Sequence, residues 1–152
     1  MAPLLTLPEQ IYREMVTHGL SLLPEEACGV LSGYPTEEGG WIAHRFHPVP
    51  NISVQRRHRF EMEPGRLIAL LHEAAYRGGA VIGFFHTHPT TPPIPSEWDL
   101  ATAWHTLPSH WILSLQRPSV PTMGVYRYVQ DASGLLQAKT LPYRVLPDSP
   151  TL

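Results

Sequence analysis

The chain has 152 residues, enough for one domain that buries a real core without a disulfide or a structural metal. Eleven Lys and Arg against 13 Asp and Glu give a formal net charge of −2, so no basic field points to nucleic acid or an anionic membrane, and protein or small-molecule substrates are favoured. Cys28 is the only cysteine, which excludes an intrachain disulfide and a thiolate zinc site, so that any bound metal must use His and carboxylate.

Leu7, Ile11, Met15, His18 and Leu22 recur at helical spacing behind Thr6-Leu7-Pro8-Glu9, which predicts a first helix over about 8–22, ended by Pro24. A strand at 28–34, a turn at 33–40 and a strand at 41–48 follow as a hairpin-like pair. A short strand at 59–62 precedes Pro64, after which Leu67, Leu70, Leu71 and Ala74 mark one face of a second helix ending at Gly78-Gly79. The apolar run Val81-Ile82-Gly83-Phe84-Phe85 reads as a buried strand, followed by a proline-rich loop at 90–95. A third helix is predicted from Ser96 with Leu100, Ala103, Trp104 and Leu107 on its inner face, and strands at 111–116, 123–130 and 135–140 complete the order.

Interleaved helices and strands with several short turns predict an α/β fold, a mixed sheet flanked by helices, in one domain over 1–145 with a flexible tail at 146–152. The amino terminus lacks the basic and apolar regions of a secretory leader, and no apolar run approaches the roughly 18 residues that span a bilayer. The expectation is a soluble, cytoplasmic protein. Arg56-Arg57-His58-Arg59 is the densest basic cluster, most simply a solvated loop and otherwise a seat for an acidic partner surface.

His86-Thr87-His88-Pro89 followed by Ser96-Glu97-Trp98-Asp99 carries the most chemistry. Residues two apart on a strand share a face, so both imidazoles can point at one ion while Thr87 points away. Nine His in the chain make a lone His-x-His pair an ordinary accident, but requiring Pro, Ser and Asp at the observed offsets lowers the chance expectation to on the order of 10⁻⁴. His86, His88 and Asp99 would leave a fourth tetrahedral position open on one zinc ion, the arrangement of a hydrolytic site, where the bound water has a pKa of about 7. Other divalent metals also suit a His and carboxylate set. Ser96 is either an oxyanion donor or simply the N-cap of its helix, and the two roles can coexist. Trp98 either lines the mouth of the site or packs beneath it, and packing is the favoured reading. Spacing alone does not select a general base, since Glu97 would point to another side of the helix.

These residues resemble the HxHP…SxxD signature of the JAMM metalloproteases of the MPN-domain family. Pro24-Glu25-Glu26-Ala27-Cys28-Gly29-Val30-Leu31-Ser32-Gly33 is similar to the segment that carries that family's catalytic glutamate. The resemblance implies a mostly antiparallel, curved sheet with the layering of cytidine deaminases, Glu26 as general base with Glu25 its exposed neighbour, and Ser96 steadying the oxyanion. It implies a zinc peptidase or isopeptidase, cleaving after the C-terminal Gly-Gly of a ubiquitin-like or sulfur-carrier protein whose tail would lie in a groove at 50–60. An inactive MPN-type binding scaffold, or a hydrolase of small peptides or modified amino acids, stays open, and so does a homodimer. A thiolate-based zinc deaminase is removed by the single cysteine, and Tyr76 four residues after His72 removes an HExxH helix.

Overall fold

The computed structural model describes residues 4–104 and 106–148. Its core is an eight-stranded mixed sheet in the order β7-β6-β5-β4-β2-β3-β1-β8. In chain order the elements are β1 (Leu5–Pro8), α1 (Glu9–Ser21), β2 (Cys28–Pro35), β3 (Trp41–Val49), α2 (Pro64–Tyr76), β4 (Ala80–His88), α3 (Glu97–Ala101), β5 (Ser109–Ser114), β6 (Thr122–Gln130), β7 (Leu136–Thr140) and β8 (Tyr143–Leu146). The pairs β2/β3, β2/β4, β5/β6 and β6/β7 are antiparallel, whereas β4/β5, β1/β3 and β1/β8 are parallel. The α/β mixed sheet flanked by helices is as predicted, and among the described residues no helix is long and apolar enough to cross a membrane.

The two long helices cover opposite faces. In α1, Ile11, Met15 and Gly19 are buried four residues apart, and Ile11 and Met15 join Leu31, Phe85, Trp111 and Leu113 in one cluster. In α2, Leu67, Leu70 and Ala74 join Val30, Val49, Val81 and Phe84 in a second. Successive residues of β2, Val30 and Leu31, thus belong to different layers, as strand geometry requires. Full burial of a side chain such as Phe85 contributes about 1.5–3 kcal/mol. The Glu63 carboxylate caps α2 by accepting from the Gly65 and Arg66 amides, with Pro64 at the first helical position.

One irregularity sets the phase of β4. Leu31 pairs with Gly83 but the next residue, Ser32, pairs with Val81, so Ile82 is an extra residue in the ladder. Val81 and Phe84 consequently share the α2 layer, while Ile82 and Phe85 share the α1 layer. Beyond this bulge strict alternation sends His86 and His88 to the α2 side and Thr87 to the α1 side. Such bulges re-aim side chains beside functional sites.

Three predicted elements differ. No strand forms at 59–62, where the only ladder contact is an isolated bridge of Met62 to Asn51. The Asn51 side chain takes the backbone instead, donating to the Arg59 carbonyl (3.0 Å) and accepting from the Glu61 amide (3.0 Å). The third helix is five residues long and stops at Thr102, so Trp104 and Leu107 lie beyond it. The termini are more ordered than expected through Asp148: Leu5–Pro8 is a strand paired in parallel with Tyr143–Leu146, and Asp148 pairs with Arg13 on α1. The expected boundary at 145 falls inside β8, and residues 149–152 of the anticipated tail lie outside the described residues.

Candidate metal centre and active site

His86 and His88 end β4, each paired in register with β5, opposite Ile112 and Ser114. Both are buried. The loop after Pro89 is tied to the sheet by Ser114 Oγ donating to the Thr91 carbonyl (2.7 Å) and by the Tyr126 hydroxyl donating to the Pro93 carbonyl. It then delivers Ser96 as the N-cap of α3. Ser96 Oγ accepts from the Asp99 amide (3.0 Å) and the Ser96 amide donates to Asp99 Oδ2 (2.9 Å), a capping box with Asp in the third position. The cap fixes the Asp99 carboxylate, which is buried, against the two histidines.

His86 Nε2, His88 Nε2 and Asp99 Oδ2 lie 3.0–3.1 Å from one another. With both Nε2 atoms unprotonated, three lone pairs converge at that distance, and a cation between them satisfies all three. His88 Nδ1 lies 2.8 Å from the Pro92 carbonyl, so that nitrogen is the donor and Nε2 is left to face the group, the outer-shell arrangement of metal-bound histidines. The His86 ring stacks on Phe60, with centroids 4.4 Å apart. Burial works to push the Asp99 carboxyl up, but His86, His88 and the Ser96 amide outweigh it and hold the group ionised, well below the usual carboxylate range. Burial also lowers His86 against the pull of Asp99, which favours the neutral ring that a metal needs. The three residues fit a divalent metal.

Glu26, 5% exposed, leads into β2 beside this group. Its Oε1 is the one buried side-chain oxygen or nitrogen without a hydrogen-bond partner among the described residues. Burial pushes its carboxyl up to about 8, with His88 pulling it down and Asp99 pushing it further up. Glu25 is part-exposed and pairs with Arg56 (3.3 Å). The Ser96 oxygen is engaged as a cap acceptor, which leaves its hydroxyl proton free to donate outward. The structure thus brings together all five residues singled out in the sequence: Glu26, His86, His88, Ser96 and Asp99.

A cavity of about 500 Å³ opens from His86 and Asp99, walled by Phe60, Met62, Leu67, Phe84, Trp98 and Trp104. This lies within the 300–1,000 Å³ usual for ligand pockets. At its base His110 stacks on Tyr128 (4.0 Å, 12°) with Nε2 3.1 Å from the Trp104 carbonyl, and burial pushes its pKa down to about 4, so it is neutral at pH 7. Ser53 and Phe60, from the segment expected to form a groove, line this cavity. Trp98 is not the packing residue expected: it is 40% exposed at the cavity wall, with the Arg59 guanidinium 4.0 Å over its ring. Trp104, expected on the inner face of a helix, and His110, not singled out in the sequence, also line the cavity. Their only sequence signal was an aromatic density around Asp99 that a helical periodicity had absorbed.

A family model for prokaryotic homologues of the JAB domain matches residues 8–127. A protein of Haloferax volcanii named desampylase is 33% identical over 76 residues, 50% of this chain and 52% of that protein. A desampylase of Pyrococcus furiosus is 35% identical over 92 residues, 60% of this chain and 61% of that protein. The match therefore spans between half and about three fifths of the length of these two relatives. Among solved structures, a Desulfitobacterium hafniense protein superposes with a TM-score of 0.76 at 27% identity, covering 95% of this chain and 96% of that one. A Salinibacter ruber protein gives 0.66 at 28% identity, covering 96% and 95%.

Proposed function

The chain belongs to the prokaryotic JAB-domain family, and from that membership we propose that it is a zinc-dependent peptidase or isopeptidase. It cleaves the bond after the C-terminal Gly-Gly of a ubiquitin-like protein of the sulfur-carrier type. The observation that carries the hydrolase reading is the unpartnered, buried Glu26 carboxyl beside three converging ligand atoms. The name shared by the two relatives, desampylase, supports an enzyme over a binding scaffold.

His86, His88 and Asp99 would hold one zinc ion. When bound, zinc supplies Lewis-acid polarisation of a carbonyl and lowers the pKa of a water to about 7. Glu26 accepts the proton of the attacking water and returns it to the leaving amine. The Ser96 hydroxyl donates to the oxygen that becomes negative on attack, while its own oxygen stays on the Asp99 amide. Glu26 and Ser96 do not line the apolar cavity, which opens on the His86 and Asp99 side. The leaving amine must lie near Glu26 to be protonated, so the acyl side of the substrate runs toward the cavity and the loop at 51–60.

The test is intact-mass spectrometry of a ubiquitin-like protein extended past Gly-Gly, incubated with zinc-loaded wild type and with Glu26→Gln. Cleavage after Gly-Gly by wild type alone is expected. Cleavage by neither, with zinc shown to be bound, would reject this substrate class.

A further inference from the structure

We propose that Thr87 and Asn51 are positioning residues that grip the backbone at Glu26 and Ala27 from two sides and hold the Glu26 carboxyl at the metal centre. The inference rests on the reading of Glu26 as the general base. Thr87 sits between the two histidine ligands, fully buried, with its side chain on the opposite face. Its amide donates to the Ala27 carbonyl (3.0 Å). The return bond of an antiparallel pair would run from the Ala27 amide to the Thr87 carbonyl. Here the Ala27 amide donates to Thr87 Oγ1 instead (2.8 Å). The side chain thereby extends the ladder to Ala27, the residue just before β2, and Glu26 stands one residue earlier, off the sheet.

The Thr87 methyl is equally specified. A Cβ on Gly19 of α1 would come within 2.8 Å of Thr87 Cγ2, so the glycine makes room for the methyl and the contact fixes a rotamer that aims Oγ1 at Ala27. From the other side, Asn51 Nδ2 donates to the Glu26 carbonyl (2.9 Å) and the Glu26 amide donates to the Arg56 carbonyl (2.7 Å). Asn51 uses both amide hydrogens and both oxygen lone pairs, on Glu26, Arg59, Ser53 and Glu61. Glu26 is thus tied directly to the loop that walls the cavity and, through Ala27, to the strand that presents the histidines. These bonds go to its backbone, while its Oε1 is left without a partner.

Three variants test this: Thr87→Val, which keeps the shape and loses the acceptor; Thr87→Ser, which keeps the acceptor; and Asn51→Asp, which loses the two donors. Zinc affinity, kcat and KM on the Gly-Gly-extended substrate, and exchange of the Glu26 amide are read for each. Thr87→Val should lower kcat by about 10–100-fold, the scale of a small misplacement of a catalytic group, with KM and zinc affinity unchanged. Thr87→Ser should keep most of kcat. In a Glu26→Gln background Thr87→Val should cost nothing further, because it acts through Glu26. Exchange of the Glu26 amide should quicken in Thr87→Val and Asn51→Asp but not in Thr87→Ser. Equal losses in the Val and Ser variants, zinc affinity falling in step with kcat, or a further loss in the Gln background would overturn the proposal. If wild type cleaves no such substrate, the functional reading fails on its own. The exchange arm still decides this proposal, which unchanged Glu26 exchange in both Thr87→Val and Asn51→Asp would overturn.

Discussion

Beside the early part of β4, Ser109 Oγ donates to the Ile82 carbonyl (2.7 Å) and accepts from Trp111 Nε1 (2.9 Å), so three buried polar groups close on one another. At the far end of the same strand, His86, His88 and Asp99 aim lone pairs at a common point and Glu26 leaves Oε1 without a partner. Both sets are buried and gather at β4. Unsatisfied buried polarity costs stability, so the chain satisfies it where only the fold is at stake and tolerates it where a ligand is to come. The contrast locates function without reference to any relative.

The comparison breaks most visibly if a ligand atom is removed. His86→Ala or Asp99→Asn should abolish tight zinc binding and measurable hydrolysis together, and chelation of the wild type should do the same reversibly. Atomic absorption of the dialysed protein beside a cleavage assay reads both. Added zinc should also raise the unfolding temperature of the metal-free protein, by mass action on the native state.

Glu26→Gln should bind zinc and lose about 10²–10⁴-fold in kcat. In metal-free protein the same variant should gain stability, with a definite pH dependence. The Glu26 carboxyl stands at about 8 when folded against an ordinary 4.5. Below about pH 4.5 it is protonated in both states, and variant and wild type should unfold alike. Between 4.5 and 8 the unfolded chain releases a proton that the folded chain keeps, so wild type loses stability as pH rises and levels off above 8. At about 1.4 kcal/mol per unit the gap should open to a few kcal/mol, measurable by urea unfolding at pH 4 and pH 8.5. No gap at either pH would show that the carboxyl is not held unsatisfied in the fold.

Ser109→Ala tests the closed set. It strands the Trp111 N–H and the Ile82 carbonyl and should cost about 1–3 kcal/mol of stability, with kcat unchanged in the zinc-loaded protein. The smallest effect is expected at the cavity wall, where Trp98→Ala should raise KM by about 3–10-fold and leave kcat close to wild type.

Most of the layered fold was legible because its signals are local. The helical spacing of Leu7, Ile11, Met15, His18 and Leu22 and the apolar run into His86 predict elements whose partners barely matter. What escaped depends on distant partners. Leu5–Pro8 is a strand only because Trp41–Ile42 and Tyr143–Leu146 flank it, and Pro8 at its end reads as a helix start. Residues 59–62 have strand character, but Asn51 offers their backbone a competing set of bonds. The third helix stops at Thr102, whose hydroxyl bonds back to the Trp98 carbonyl (2.8 Å), although the apolar pattern runs on to Leu107.

The site divides in the same way. His86, His88, Ser96 and Asp99 lie within 14 residues of sequence and follow from metal chemistry and strand geometry. Glu26 lies 60 residues before His86, and spacing could not connect them; the resemblance of the segment around it did. The link in the structure is the Ala27–Thr87 pair, and the bulge at Ile82 that turns both histidines toward Asp99 left no mark in the sequence. Trp98 was misjudged because an aromatic residue in a short amphipathic stretch reads the same whether it lies under the helix or over a cavity.

In the proposed function one metal held by His86, His88 and Asp99 works with Glu26 in hydrolysis. The most direct test of this reading titrates metal-free protein with zinc and follows cleavage of the Gly-Gly-extended substrate at each step. Cleavage should rise to a plateau at one zinc per chain, and Glu26→Gln should take up the same equivalent without cleaving. Full cleavage before zinc is added, or equal cleavage by the variant, would contradict it.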